Sequence, residues 1–413
     1  MHRLTSLSLF VNYFVFAMLL NSVGTVILQV QRNFDITKSD ASLLEGFKDI
    51  PIAVASFIFA SFLPRIGLRR SMLLGLGLVS VTSFCLPFVG QFWYFKLLFF
   101  CIGISFAFIK VSTFATIGLI TDSEKSHASF MGYIEAVFMA GILCGQFMMS
   151  AFIDDNDPKA ESWFYAYWVL ATLSIIAFIL MYKSKIDERD AKIENRQLKE
   201  EFSDMLGLMI IPLTIVFILS VFCYVLIEQS FQTWFPTFYK EILKVPSTMA
   251  IQAGAVLAGA AMVGRLLSGY VLKKVSWIAF LSFCIIMVIL LINIALSLSS
   301  GVSSAQVYNW FNAPFVVYLL PLIGLFLSPI YPTINSVILS ALPKNQHSAM
   351  SGLIVVFSAL GGTTGSMITG HVFERFDGST AFYLTLIPLG CIAVLLILLY
   401  KIIKKNVITT PSN

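Results

Sequence analysis

Six ionisable side chains stand where the surrounding sequence is almost wholly apolar: Glu45, Lys48 and Asp49 in one run, Lys110 in a second, Glu135 in a third and Glu228 in a fourth. Carboxylates in such surroundings can exchange protons, and an ammonium can hold an anion or a hydroxyl. Glu45, Lys48 and Asp49 are spaced i, i+3 and i+4, so on a helix they share one face. One base between two acids leaves one carboxylate without a local partner, which makes Glu45 or Asp49 a candidate for proton exchange; a self-neutralising cluster is the plainer reading. Lys110 and Glu135 fall at similar depth in consecutive runs. An ion pair between them is expected, either as a structural tie or as a switch broken when Glu135 takes a proton or an anionic or hydroxylated solute reaches Lys110. Glu228 has Tyr224 at i−4 and Gln232 at i+4, with Phe231 and Phe235 close on the same side. One acid, one amide and several rings on a single face suit a polar organic solute held by a few hydrogen bonds, although such rings also serve packing alone.

The elements that carry these groups must be membrane helices. The chain has 413 residues, 58% hydrophobic and 12% charged, with a mean hydropathy of +0.87, whereas about a quarter of a soluble protein's residues are charged. Apolar runs of the length that crosses a hydrocarbon core fall at 7–30, 42–64, 71–89, 94–119, 128–152, 163–182, 207–236, 248–271, 276–299, 311–341, 348–372 and 381–402. That is twelve. Facing lipid, the six charges would cost roughly 15–20 kcal/mol at 2.5–3.5 kcal/mol each, more than the whole stability of a typical domain. They are therefore expected to face the bundle interior, a watery cavity or one another.

The stretch from Phe106 to Gln146 recurs 220 positions later. His127, Gly132, Gly141 and Gly145 fall onto His347, Gly352, Gly361 and Gly365, and Thr113 falls onto Thr333, without a gap. We read two related halves, a design in which the solute site is expected at the repeat interface near the bilayer midplane. The expected divisions are a first six-helix bundle at 1–182, a charged linker at 183–206, a second bundle at 207–405 and a short polar, disordered tail at 406–413. Seventeen Lys and Arg residues, including Arg3, Arg65, Arg69 and Lys183, fall on the side of the N-terminus, against seven opposite, including Arg32, Lys159 and Arg375. This places both termini in the cytoplasm. The glycines of spans five, eight and eleven are expected to let helices approach closely. Pro51, Pro212, Pro321, Pro329 and Pro332 are expected to kink their helices, with a bend in span ten.

Other chemistries are excluded or unsupported. The net charge of +5 is spread over short loops and forms no basic stripe for nucleic acid. Cys85, Cys101, Cys144, Cys223, Cys284 and Cys391 all lie inside apolar runs, implying neither disulfides nor a metal site. His127 and His347 have no second ligand at suitable spacing and read as solvated turn residues. Enzyme signatures such as GxSxG, a P-loop or HExxH are absent. No enzyme activity, cofactor or metal is expected, and no cleavable leader is needed.

The spans, the six-plus-six duplication and the charged central loop resemble the major facilitator superfamily. The loop between spans two and three is similar to that family's signature, a Gly, an acid four residues on, then Arg-x-Gly-Arg-Arg. Here it reads Ala60, Pro64, Arg65, Ile66, Gly67, Leu68, Arg69, Arg70, with the glycine and the acid replaced. Gly264, Arg265, Gly269, Lys273 and Lys274 occupy the equivalent turn of the second half. The resemblance implies an all-α membrane fold with gating roles for Arg65, Arg69, Arg70 and Arg265. Tyr224 to Glu228, Trp234, and Tyr331 to Ile334 look like the corresponding helices of the fucose permease branch of proton-linked sugar transporters. That branch's acids of spans one and four fall here at Gly24 and Lys110.

These readings lead to the expectation of a secondary active transporter in the cell membrane, a monomer moving a small polar solute such as a sugar by alternating access and coupled to protons. Lys110, Glu135, Tyr224, Glu228 and Gln232 are the expected solute ligands, and Glu45, Asp49 and Glu135 the expected coupling acids. A proton-driven exporter of amphipathic or cationic compounds and a non-transporting membrane sensor are the alternatives.

Overall fold

Backbone N–H and C=O groups in hydrocarbon have no water to bond, so a spanning segment satisfies them within itself as a helix. The computed structural model describes residues 2–121, 124–186, 206–302, 308–342 and 346–409, and every regular element among them is helical. In the first half these are α1 (His2–Asn21), α2 (Val23–Asn33), α3 (Lys38–Ile66), α4 (Leu68–Val89), α5 (Phe92–Ile120), α6 (Glu124–Ser150), a short 3-10 turn (Ser162–Tyr165) and α7 (Ala166–Lys183). The second half has α8 (Pro212–Glu241), α9 (Ser247–Val271), α10 (Trp277–Ser299), α11 (Phe315–Leu319), α12 (Leu322–Leu327), α13 (Ile330–Ala341), α14 (His347–Arg375), α15 (Gly378–Tyr383) and α16 (Leu386–Thr409).

Among the described residues, 11 helical stretches are long and apolar enough to cross a membrane. The remaining expected span is α3, whose 29 residues are ample in length but include Glu45, Lys48 and Asp49. The expected first span is two helices meeting at Ser22, whose hydroxyl bonds the Leu19 carbonyl at 2.7 Å and the Tyr167 hydroxyl at 3.0 Å. Proline acts differently at each position. Pro321 and Pro329 precede α12 and α13 and divide the expected tenth span into three pieces. Pro212 opens α8, where its missing N–H costs nothing, while α3 runs unbroken through Pro51. The helix α16 continues to Thr409, so the first four residues of the expected tail are helical and 410–413 lie outside the described residues. Most of the expected linker, 187–205, also lies outside them.

The chain divides into two compact units, 1–197 with 246–255, and 198–245 with 256–413. In the first unit α1 packs on α6 and α7, α3 on α5, and α4 on α5 and α7. Its two ends are distinct. At one, Lys159 pairs with Asp35 at 3.0 Å and the Trp163 indole donates to Asn33 at 2.6 Å; at the other, Arg69 donates to the carbonyls of Met181 and Tyr182 that end α7. The start of α9 belongs to this unit too. Asp155 caps it, accepting from the backbone N–H groups of Ser247 at 2.5 Å and Thr248 at 3.3 Å, while Arg32 donates to the Ser247 hydroxyl at 2.6 Å.

In the second unit α8 packs on α14 and α16, and α10 on α12. The duplicated glycines have the same use in both units. A Cβ on Gly141 would stand 2.5 Å from the Phe14 carbonyl oxygen, and one on Gly361 would stand 2.5 Å from that of Phe222. Four residues on, Gly145 abuts Met18 and Gly365 abuts the Leu226 carbonyl. No side chain fits at these crossings. Gly132 is different, with nothing within 4 Å of the place a Cβ would take, so close approach does not account for that identity.

Candidate functional site

Glu45, Lys48 and Asp49 lie on one face of α3 and are buried, at 0%, 5% and 9% exposure. Lys48 Nζ contacts Glu45 and stands 3.5 Å from Asp49. The lysine thus meets both acids, and the expectation that one carboxylate is left without a local partner does not hold. A Cβ on Gly103 of α5 would run into the Lys48 carbonyl, so the backbone under this triad is pressed against the neighbouring helix. One buried ammonium is thus shared by two buried carboxylates.

Lys110 and Glu135 depart from expectation in the opposite sense. Both are described, and no ion pair within 4.0 Å joins them. Lys110 is half-buried and Glu135 is exposed. Tyr13 of α1 meets both helices, its ring centroid 6.2 Å from Phe106 and 6.3 Å from Phe114 of α5 and 6.1 Å from Phe138 of α6. Phe106, Lys110 and Phe114 are spaced i, i+4, i+8, one stripe of α5 turned toward that ring. The Tyr13 hydroxyl is buried without a hydrogen-bond partner.

In the second unit Glu228 is shared by two donors. The Tyr224 hydroxyl donates to its Oε1 at 2.9 Å, and Arg265 Nη2 donates to the same oxygen at 3.3 Å. The Tyr224 ring stacks on Tyr331 with centroids 5.4 Å apart, and the Tyr331 hydroxyl is within 3.4 Å of Ser358 Oγ. Asn335 Oδ1 is buried with no partner. Gln232 is half-buried one turn on. Phe231 and Phe235 go elsewhere: they are 2% and 0% exposed and pack on Phe382 and Tyr239, each at 4.6 Å. The ring beside the acid is Tyr331.

Arg265, expected at a gating turn, sits inside α9 and pairs with Glu228. Its position within the apolar run 248–271 was the available signal. Arg69 caps α7 and lies 5.4 Å over the Tyr182 ring, Arg70 is exposed, and the side chain of Arg65 is outside those described. Gly67 of the same loop has a φ of +87°, which favours glycine there. The side chains of His127 and His347 are not among those described, and no cluster of metal-ligating residues occurs among the described residues. All six cysteines are free.

Known proteins of several kinds are similar to the chain. The TsgA homolog of Buchnera aphidicola (subsp. Schizaphis graminum) is 23% identical over 98% of this chain and 96% of its own. A bacterial homolog of the human lysosomal transporter Spinster, inward-facing and occupied, superposes with a TM-score of 0.73 at 14% identity, covering 96% of each chain. The E. coli fucose:proton symporter FucP gives 0.62 at 16% identity, over 97% of this chain and 98% of its own. These structures share the fold. The profile of the Major Facilitator Superfamily matches residues 6–365, and the chain is a multi-pass membrane transporter belonging to that family.

Proposed function

We propose that the chain moves a small polar organic solute, a sugar or a metabolite of similar size, across the cell membrane by alternating access, and that proton uptake by a buried carboxylate drives it. Both termini face the cytoplasm in this reading, which follows the distribution of Lys and Arg. The observation that carries it is the Glu228 carboxylate, held at once by Tyr224 and Arg265 beside the stacked Tyr331. Rings and several fixed donors in one place suit a hydroxylated solute. A proton on Glu228 weakens its hold on Arg265 and frees donors for a solute, which links protonation to binding. The likeness to a fucose:proton symporter accords with this and supplies no residue roles. Glu45 and Asp49, both tied to Lys48, take no part in coupling in this account, and Lys110 and Glu135 contact solute.

Purified protein in liposomes tests it. An inward proton gradient is expected to drive accumulation of the transported solute, and Glu228→Gln to abolish accumulation while sparing solute exchange. Accumulation unchanged in that variant would remove Glu228 from coupling. No flux of any solute from a panel of sugars, organic acids and amino acids would contradict the transport reading itself.

A further inference from the structure

The start of α9 is held to the first unit by contacts unlike the glycine crossings. The helix runs unbroken from Ser247 to Val271 with no proline inside it, and its residues up to Ala255 count with the first unit while the rest count with the second. Its first turns lie along the end of α6 and the loop beyond. Asp155 accepts from the backbone N–H groups of Ser247 at 2.5 Å and Thr248 at 3.3 Å and from the Thr248 hydroxyl. Gln252 Nε2 donates to Ser150 Oγ at 3.3 Å, and a Cβ on Gly254 would stand 3.7 Å from the Gln146 side chain. Positions rise along α9 as they fall toward α6, so the two segments run antiparallel, side by side. From α2, Arg32 adds a bond to the Ser247 hydroxyl at 2.6 Å. Asp155 thus answers N–H groups that a helix start leaves open, at the positive end of the helix dipole. Asp155, Arg32, Thr248 and Gln252 are all half-buried. Water can therefore take over each bond as it breaks, and such an exchange has a small net cost. Bending α9 instead would need a proline or an inserted group to relieve its backbone.

We propose that Asp155 is a releasable latch: with Arg32 it fastens the start of α9 to the first unit in this conformation, and it lets go when the protein opens at this end, the outer one when both termini are cytoplasmic. The proposal rests on the alternating-access reading and names the contact that must part in each cycle. Asp155 acts through its acceptor oxygens, so Asn can serve in its place and Ala cannot.

The test is a distance measurement on the full chain in nanodiscs, which needs no solute. With the six native cysteines replaced, spin labels are placed at Asn156→Cys and Pro246→Cys, one on each side of the latch. The latched protein is expected to show a short distance as its main population. Asp155→Ala is expected to raise the longer-distance fraction roughly fivefold, the shift that losing one net hydrogen bond gives, and Arg32→Ala to move it the same way. Asp155→Asn should leave the distribution near that of the parent. A loss of thermal stability in Asp155→Ala with the distances unchanged would overturn the proposal and leave the cap as a fixed helix end. Should Asp155→Ala fold poorly, the pair Asp155→Cys and Thr248→Cys decides. Oxidised to a disulfide, it is expected to stop liposome flux, and a reductant to restore it; flux unchanged by the disulfide would overturn the proposal. No flux in the unaltered protein would instead strike the transport reading and leave the distances to judge the latch.

Discussion

At the scale of single residues, Glu228 and Arg265 are the pair whose energetics can be isolated. Their side chains are 19% and 29% exposed, neither dry nor fully solvated, so removing one partner leaves the other short of hydration. Single truncations should therefore cost more together than the double truncation. A double-mutant cycle of Glu228→Ala and Arg265→Ala on thermal stability is expected to give a coupling of about 1 kcal/mol or more, within the usual range for contacting residues; additive effects would show that the contact carries no energy. The acid, the tyrosine and their i, i+4 spacing were legible in the sequence because a helix has a fixed period. The arginine was not, since its loop-like neighbours Gly264 and Lys273 drew it toward a turn. Its depth inside an apolar run outweighed that resemblance. Lys110 and Glu135 failed in the reverse way. Equal depth on consecutive helices fixes height but not rotation about each axis, and rotation decides whether two side chains touch.

Among the elements, the glycine crossings hold the helices where these groups need them. The duplication register read from Gly141, Gly145, Gly361 and Gly365 reappears as two helix pairs, α1 with α6 and α8 with α14, each packed carbonyl to glycine. Gly141→Val and Gly361→Val should each destabilise the protein by about 1–3 kcal/mol or more through overpacking against a carbonyl that cannot yield. Gly132→Ala, placed in open space within a helix, should be neutral or stabilising by up to about 1 kcal/mol. Melting of the three variants in detergent checks both statements, and equal effects at 132 and 141 would contradict them. The helices themselves were plain from hydropathy and length. Their interruptions were not: Ser22 ends α1 without a proline, while Pro51 leaves α3 intact.

In the whole molecule, charged groups in apolar helices must line an aqueous path within protein if a solute is to reach them. Composition required a membrane fold, and the apolar runs located its long helices, 11 of which among the described residues are long and apolar enough to cross a membrane. The cost of lipid-facing charge said only that the six groups must be hidden. Packing settled which of them neutralise one another, information that a linear pattern cannot carry. The most direct measurement is thiol accessibility in the membrane. With the six native cysteines replaced, Lys110→Cys, Glu135→Cys and Glu228→Cys should each react with a membrane-impermeant thiol reagent, and a bound solute should slow that reaction. Reaction at none of the three in the membrane, with full reaction once the protein is unfolded, would show that no aqueous path reaches them and would contradict the account.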